Sequence, residues 1–206
     1  MKTETFNPQM GSGNKVERIY RILLSRKRKN LTAYRIAKDA EVSWSWAYRV
    51  LSDLDREGLI VGTTVKDPKE VFMKWVARKD NRRFREYHLQ NPEEVLRNAG
   101  MDYVFTGYFA ENLIGHYLFP RYREIYVKRQ DANKWHEHLS ENGYVGKGNF
   151  RMIIADEHVF FERDQINEWP VVSIQQLIVD LYRTGSECSE AADILLRRAY
   201  LDGPTL

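Results

Sequence analysis

Between Val16 and Ile60 the chain repeats one pattern three times: an amphipathic stretch, a stop, and a residue suited to cap the next helix. That punctuation constrains the fold more than any other feature. In the first stretch Val16, Ile19, Tyr20, Leu23 and Leu24 recur at helical spacing. Thr32 is placed to cap a second helix, whose apolar members are Ala33, Ile36, Ala37 and Ala40. The short turn Glu41-Val42 leads to Ser43, a good cap for a third helix. There Ala47, Val50, Leu51 and Leu54 form one stripe, and Gly58 stops the helix before Leu59-Ile60-Val61. Two short helices across a tight turn are the helix-turn-helix arrangement, in which the second helix offers its exposed face to a DNA major groove. The same packing also serves protein contacts, and at its plainest it is a three-helix unit with no ligand.

If the motif binds DNA, its surface can be named. With Val42, Ala47, Val50, Leu51 and Leu54 turned inward, the residues left facing out at the start of the third helix are Ser43, Trp44, Ser45, Tyr48 and Arg49, with Ser52 one turn further on. Thr32, at the start of the second helix, joins this set. Arg49 has the chemistry to read guanine through two hydrogen bonds, while Ser45 and Tyr48 reach phosphate or base. Trp46, four residues before Val50, is expected at the edge of the core. An exposed Trp44 would mark a contact surface, whether thymine methyl, sugar or protein.

Charge is divided along the chain. The total is only +3, but residues 15–90 hold 19 Lys and Arg against 10 Asp and Glu, a net of +9. Residues 91–206 hold 12 against 18, a net of −6. A basic N-terminal half on an acidic C-terminal half is what results when only one module meets phosphates. Arg26, Lys27, Arg28 and Lys29 concentrate four cations after the first helix. A cation run there also suits the helix dipole, yet four exceed what capping needs, which favours phosphate contact.

Length supports two modules, and the charge change places them. Residues 1–14 read as a flexible leader, residues 15–83 as a winged helix-turn-helix domain with only a short wing, and residues 84–206 as an α/β domain. The fold class expected is thus α+β. Leu59 to Val65 is suited to a strand, and Asp67-Pro68 is a strong helix start before Val71, Phe72, Trp75 and Val76. The link Asn81-Arg82-Arg83 is basic, either to touch DNA or only to stay solvated. Beyond it the pattern predicts strands at 84–89, 103–106 and 123–128, and a hairpin of 150–155 with 158–162 across Asp156-Glu157. Helices are expected over 91–100, from Gly107, over 131–142, after Ser173 and over 189–200. No run approaches a membrane span. The single cysteine, Cys188, excludes an internal disulfide and fits a reducing, cytoplasmic setting.

Here the residues carry a resemblance. The run YVFTGYFAENLIGHYLFPRYREIYV, followed by WPVVSIQQLIVDLYRTGSECSEAADILLRRA, resembles the C-terminal domain of AbiEi-type antitoxins of type IV toxin–antitoxin loci, and the pattern at Val65, Asp67, Pro68 and Trp75 extends it into the N-terminal half. The resemblance implies a winged helix-turn-helix repressor of its own operon, with double-stranded DNA as partner. It also implies a cognate nucleotidyltransferase toxin as a second partner. Dimerisation on a palindrome is common among helix-turn-helix proteins, although no heptad seam here marks a dimer helix.

The same C-terminal region resembles a nucleotidyltransferase fold, which raises an enzyme as the rival reading. Such an enzyme needs a Gly-Ser or Gly-Gly turn and then two carboxylates at i and i+2 of one strand, sharing a face to hold magnesium. This chain offers Gly107-Tyr108 and then Glu124-Ile125-Tyr126. A tyrosine does not replace a carboxylate ligand near neutral pH, so the domain is expected to be nucleotidyltransferase-like without being an enzyme. No catalytic residue, cofactor or metal site is assigned. His136 and His138 face different directions on a helix, and His88, His116 and His158 are scattered. Gly143 to Gly148 reads as an inter-strand loop rather than a nucleotide loop.

Overall fold

The computed structural model describes residues 12–202 of the chain. The leader expected over 1–14 falls mostly outside them, but backbone 12–14 already belongs to the first helix. Helices α1 (Ser12–Leu23), α2 (Ala33–Asp39) and α3 (Trp44–Arg56) form the helix-turn-helix. Strands β1 (Ile60–Val61) and β2 (Thr64–Val65) pair antiparallel as a two-residue wing. Both caps act as their residue types dictate: the Thr32 hydroxyl accepts from Arg35 N, and the Ser43 hydroxyl from Trp46 N. Asp67 does the same for helix α4 (Pro68–Val76), accepting from Glu70 N with Pro68 in the first turn.

The second module is built on a mixed sheet. Its strands are β3 (Arg83–Leu89), β4 (Tyr103–Thr106), β5 (Arg123–Val127), β6 (Gly143–Val145), β7 (Phe150–Ile154), β8 (Asp164–Ile166) and β9 (Trp169–Val171). They lie in the order β6-β3-β7-β5-β4-β9-β8. Helix α5 (Pro92–Arg97) precedes β4, α6 (Gly107–Ile114) links β4 to its antiparallel neighbour β5, and α7 (Ala132–Glu141) lies on the path to β7, which runs parallel to β5. Helices α8 (Ile174–Thr184) and α9 (Glu187–Leu196) pack on each other, and α8 also packs on α6 and α4.

Three local expectations fail for identifiable reasons. Residues 150–155 and 158–162 do not form a hairpin: β7 pairs instead with β3 and β5, and Glu157–Phe160 make a 3-10 turn that faces the helix-turn-helix. Gly143–Val145 is an edge strand rather than loop, because Gly143 lets the backbone come close to His88 O, 2.4 Å from where a Cβ would stand. Arg82 is neither a DNA contact nor a solvated linker. It enters the protein and binds Asp180 at 2.8 Å, Tyr126 at 3.0 Å and Asp80 at 2.6 Å.

The two modules share one core. An ordinary surface helix buries one stripe, whereas in α1 the residues Val16, Arg18, Ile19, Tyr20, Arg21, Ile22 and Leu23, and Leu24 just after it, are all buried. One side of α1 holds α2 and α3, and the other meets the C-terminal module. Arg21 is 1% exposed; its guanidinium donates to Gln176 Oε1 at 2.6 and 2.9 Å and to His158 Nδ1 at 2.8 Å, and lies 5.3 Å from the Trp75 ring. Because arginine only donates, His158 Nδ1 accepts and its Nε2–H donates to Asp39 O at 2.9 Å. Burial, together with Arg21, pushes the His158 imidazole down to about 4, so it stays neutral in this bond. Tyr200 adds a further tie, donating to Leu24 O at 2.7 Å while its ring meets Phe72 edge-on.

Candidate nucleic-acid interface

Helix α3 buries Ala47, Leu51 and Leu54 and turns its N-terminal half outward. Trp44 and Tyr48, one turn apart, are 53% and 54% exposed and stack with ring centroids 5.0 Å apart. Ser43, Ser45 and Arg49 are exposed, and Ser52 is half-buried. The Arg49 guanidinium lies 5.7 Å from the ring of Trp46, which packs against the core edge as its spacing indicated. The first turns of α3 thus present a flat aromatic pair, the Ser45 hydroxyl and a cation, while the Ser43 hydroxyl caps the helix. These are the groups that fill thymine methyl, phosphate and guanine contacts in a major groove. Thr32 is exposed as well, but its hydroxyl is occupied in capping α2.

The basic run divides in two. Lys27 binds Asp164 and Glu162 O, and Arg28 binds Asp39 and Glu162 with its guanidinium 4.8 Å from the Phe161 ring. Those two cations join the basic turn to the C-terminal module. Arg26 and Lys29 stay exposed without such a partner in the C-terminal module and, together with the ion-paired Arg28, line a cleft of about 470 Å³ whose other wall is the wing, Thr63 to Val65. Of the four residues expected on phosphate, this pair faces the surface beside the wing. The set also lacked Tyr34, 68% exposed on α2. It stands outside the stripe of Ala33, Ile36, Ala37 and Ala40, and that was the available signal.

In the C-terminal module Thr106, Glu124, Arg151 and Glu86 form one row across neighbouring strands. The Arg151 guanidinium bridges Glu124 and Glu86, at 2.8 Å to each. Glu124 is 5% exposed, and burial raises its carboxyl affinity for a proton despite Arg151. Its Oε2 lies beneath Gly107, where a Cβ would stand 1.7 Å away; φ there is +61°, so only glycine suits the turn. Tyr126, two residues on, donates to Asp180 at 2.9 Å, and Asp180 also accepts from Thr106 and Gln176. Burial raises the Tyr126 phenol well above its usual range. The position where a second carboxylate was expected to be missing therefore holds a neutral phenol in a closed network. Among the described residues, no group of three or more His, Cys, Asp or Glu is placed to hold a metal ion. Among them, too, no helix is long and apolar enough to cross a membrane.

Residues 17–77, from α1 to the end of α4, match the family model described as the sugar-specific transcriptional regulator TrmB. No curated protein and no solved structure matches the chain. The match begins and ends on the elements that build the helix-turn-helix, its wing and the supporting helix α4. With the exposed face of α3, it makes residues 17–77 a helix-turn-helix domain of a DNA-binding transcriptional regulator.

Proposed function

We propose that the chain represses transcription as an AbiEi-like antitoxin, binding double-stranded DNA in its operon through α3 and the cleft beside the wing. The observation that carries the DNA contact is the outward face of Trp44, Ser45, Tyr48 and Arg49 at the start of α3, within the matched segment. Arg49→Ala is expected to cost about 1–3 kcal/mol at the operator and to relax preference at one base pair. The assay is binding to operator and random duplexes of equal length. Equal losses on both would make Arg49 a phosphate contact, and a folded protein with no affinity at low salt would remove the reading.

The C-terminal module acts through protein contact, with a nucleotidyltransferase toxin as the partner, and not as an enzyme. A nucleotidyltransferase-like arrangement is supported by the path β4-α6-β5-α7-β6-β7, with β4 and β5 antiparallel and β5 and β7 parallel beside the Gly107 turn. A magnesium site does not fit these residues. The Arg151 guanidinium already bridges Glu124 and Glu86, and Tyr126 supplies no carboxylate. Magnesium-dependent transfer from a labelled nucleotide, abolished by Glu124→Gln, would overturn this. Co-expression with the adjacent nucleotidyltransferase gene, where one exists, tests the antitoxin role by growth rescue. The sugar-specific part of the family description is not carried over, because the match stops at residue 77. A cytoplasmic setting accords with contact to DNA.

A further inference from the structure

The two rings on the outward face of α3 differ in chemistry from the cation beside them. Trp44 and Tyr48 stand one turn apart, 53% and 54% exposed, and stack with an interplanar angle of 21°. Each covers part of the other and leaves the rest of its carbon surface in water. Neither is needed to complete the core, because Ala47, Leu51 and Leu54 form the buried stripe of this helix. Apolar residues exposed singly are ordinary on a protein surface. These two instead make one continuous patch at the end of the helix that reaches base edges.

The charge around the patch suits DNA. No carboxylate lies between Glu41, which pairs with Arg18, and Asp53, which pairs with Arg56. Residues 42–52 therefore carry only the positive charge of Arg49. Their hydrogen-bonding capacity toward bases is small. The Ser43 hydroxyl is taken by the cap, which leaves the Ser45 and Tyr48 hydroxyls, the Trp44 indole N–H and the Arg49 guanidinium. Most of what the two rings present is carbon. Among the base edges of the major groove only thymine offers a matching group, its C5-methyl. Amino or carbonyl groups of other bases pressed on ring carbon would lose water and gain no partner. Given the DNA-binding reading above, on which this rests, we propose that Trp44 and Tyr48 form a reader of thymine C5-methyl groups. The operator is then selected by methyl burial as well as by the hydrogen bonds of Arg49. The ring centroids lie 5.0 Å apart and base pairs rise by about 3.4 Å, so the patch covers one or two successive pairs.

The probe is the tightest duplex that the full chain recovers from a random-sequence pool, resynthesised with deoxyuridine in place of thymidine, one position at a time. Uracil pairs as thymine does and lacks only the methyl group. At one position, or at two adjacent ones, affinity is expected to fall about threefold to fivefold for each methyl lost, the equivalent of one buried carbon. Uracil elsewhere should be neutral. This scan needs no protein variant. Trp44→Ala should weaken binding to the thymine duplex and remove the thymine–uracil difference at those positions, with folding checked by circular dichroism. Tyr48→Phe keeps the ring and should keep the difference. Four results would each overturn the methyl reader while leaving DNA binding in place. They are equal affinity at every thymine and uracil position, a difference that survives Trp44→Ala, a difference lost in Tyr48→Phe, and a Trp44→Ala variant as tight as the parent on both duplexes. A folded chain that binds no duplex at low salt would remove the methyl reader and the DNA-binding reading together.

Discussion

The split within the basic run gives the sharpest prediction. Arg28 is 25% exposed and touches Asp39 and Glu162, whose side chains are 11% and 10% exposed, with Phe161 beneath it. Replacing Arg28 by Ala leaves two mostly buried carboxylates short of a charge-assisted partner. Each keeps another, Arg35 for Asp39 at 2.8 Å and the Ser25 hydroxyl for Glu162. The loss therefore belongs near the lower end of the range for hydrogen bonds to charged groups, about 2 kcal/mol with the ring contact included. In a chain of this size that lowers the melting temperature by about 4–8 °C. Arg26 and Lys29 are exposed beside the wing, so replacing both should leave the melting temperature within about 1 °C.

DNA binding should separate the same residues in the opposite sense. Each lost phosphate contact removes about 0.9 from the slope of log affinity against log salt. The Arg26→Ala, Lys29→Ala double variant should thus lose about 2 units of slope, while Arg28→Ala keeps the slope and loses stability. Thermal melts and fluorescence anisotropy across a salt series measure both. Should Arg28→Ala flatten the slope with an unchanged melting temperature, the cation belongs to the DNA and the junction drawn here is wrong.

Acid should loosen the junction through His158. Its folded pKa of about 4 lies below the ordinary 6.5, so the unfolded chain takes up the proton first. The stabilisation is complete above pH 6.5 and is lost as pH falls toward 4, by up to about 1.4 kcal/mol per pH unit. His158→Gln should flatten that part of the stability curve in chemical denaturation, and a curve parallel to the parent's would refute the assignment. Asp180→Asn should cost about 3–5 kcal/mol, because Arg82 and Tyr126 lose the charge their buried network surrounds; a loss below 1 kcal/mol in urea would refute it.

What could be read in the sequence was local, and what could not was the pairing of distant segments. Thr32, Ser43 and Asp67 mark helix starts because a side-chain oxygen satisfying its own helix's amides is a short-range event. The order β6-β3-β7-β5-β4-β9-β8 depends on contacts between strands far apart in the chain, and no spacing rule encodes them. The failed hairpin shows the competition: Asp156 and His158 turn toward Arg18 and Asp39 instead of extending as a strand. Arg18 and Arg21 were invisible for the same reason. Beside Val16, Ile19, Tyr20, Leu23 and Leu24 they look like the solvated face of an amphipathic helix. Ile22 was the contrary sign, an apolar residue off the stripe that is fully buried. A helix buried on both faces is a joint between two bodies and not the outer support of one. For this chain that alters the functional reading: the element behind the DNA-facing helices is the one the C-terminal module grips. A change at Asp156, His158 or Glu162 therefore has a direct route to the turn that positions Arg49.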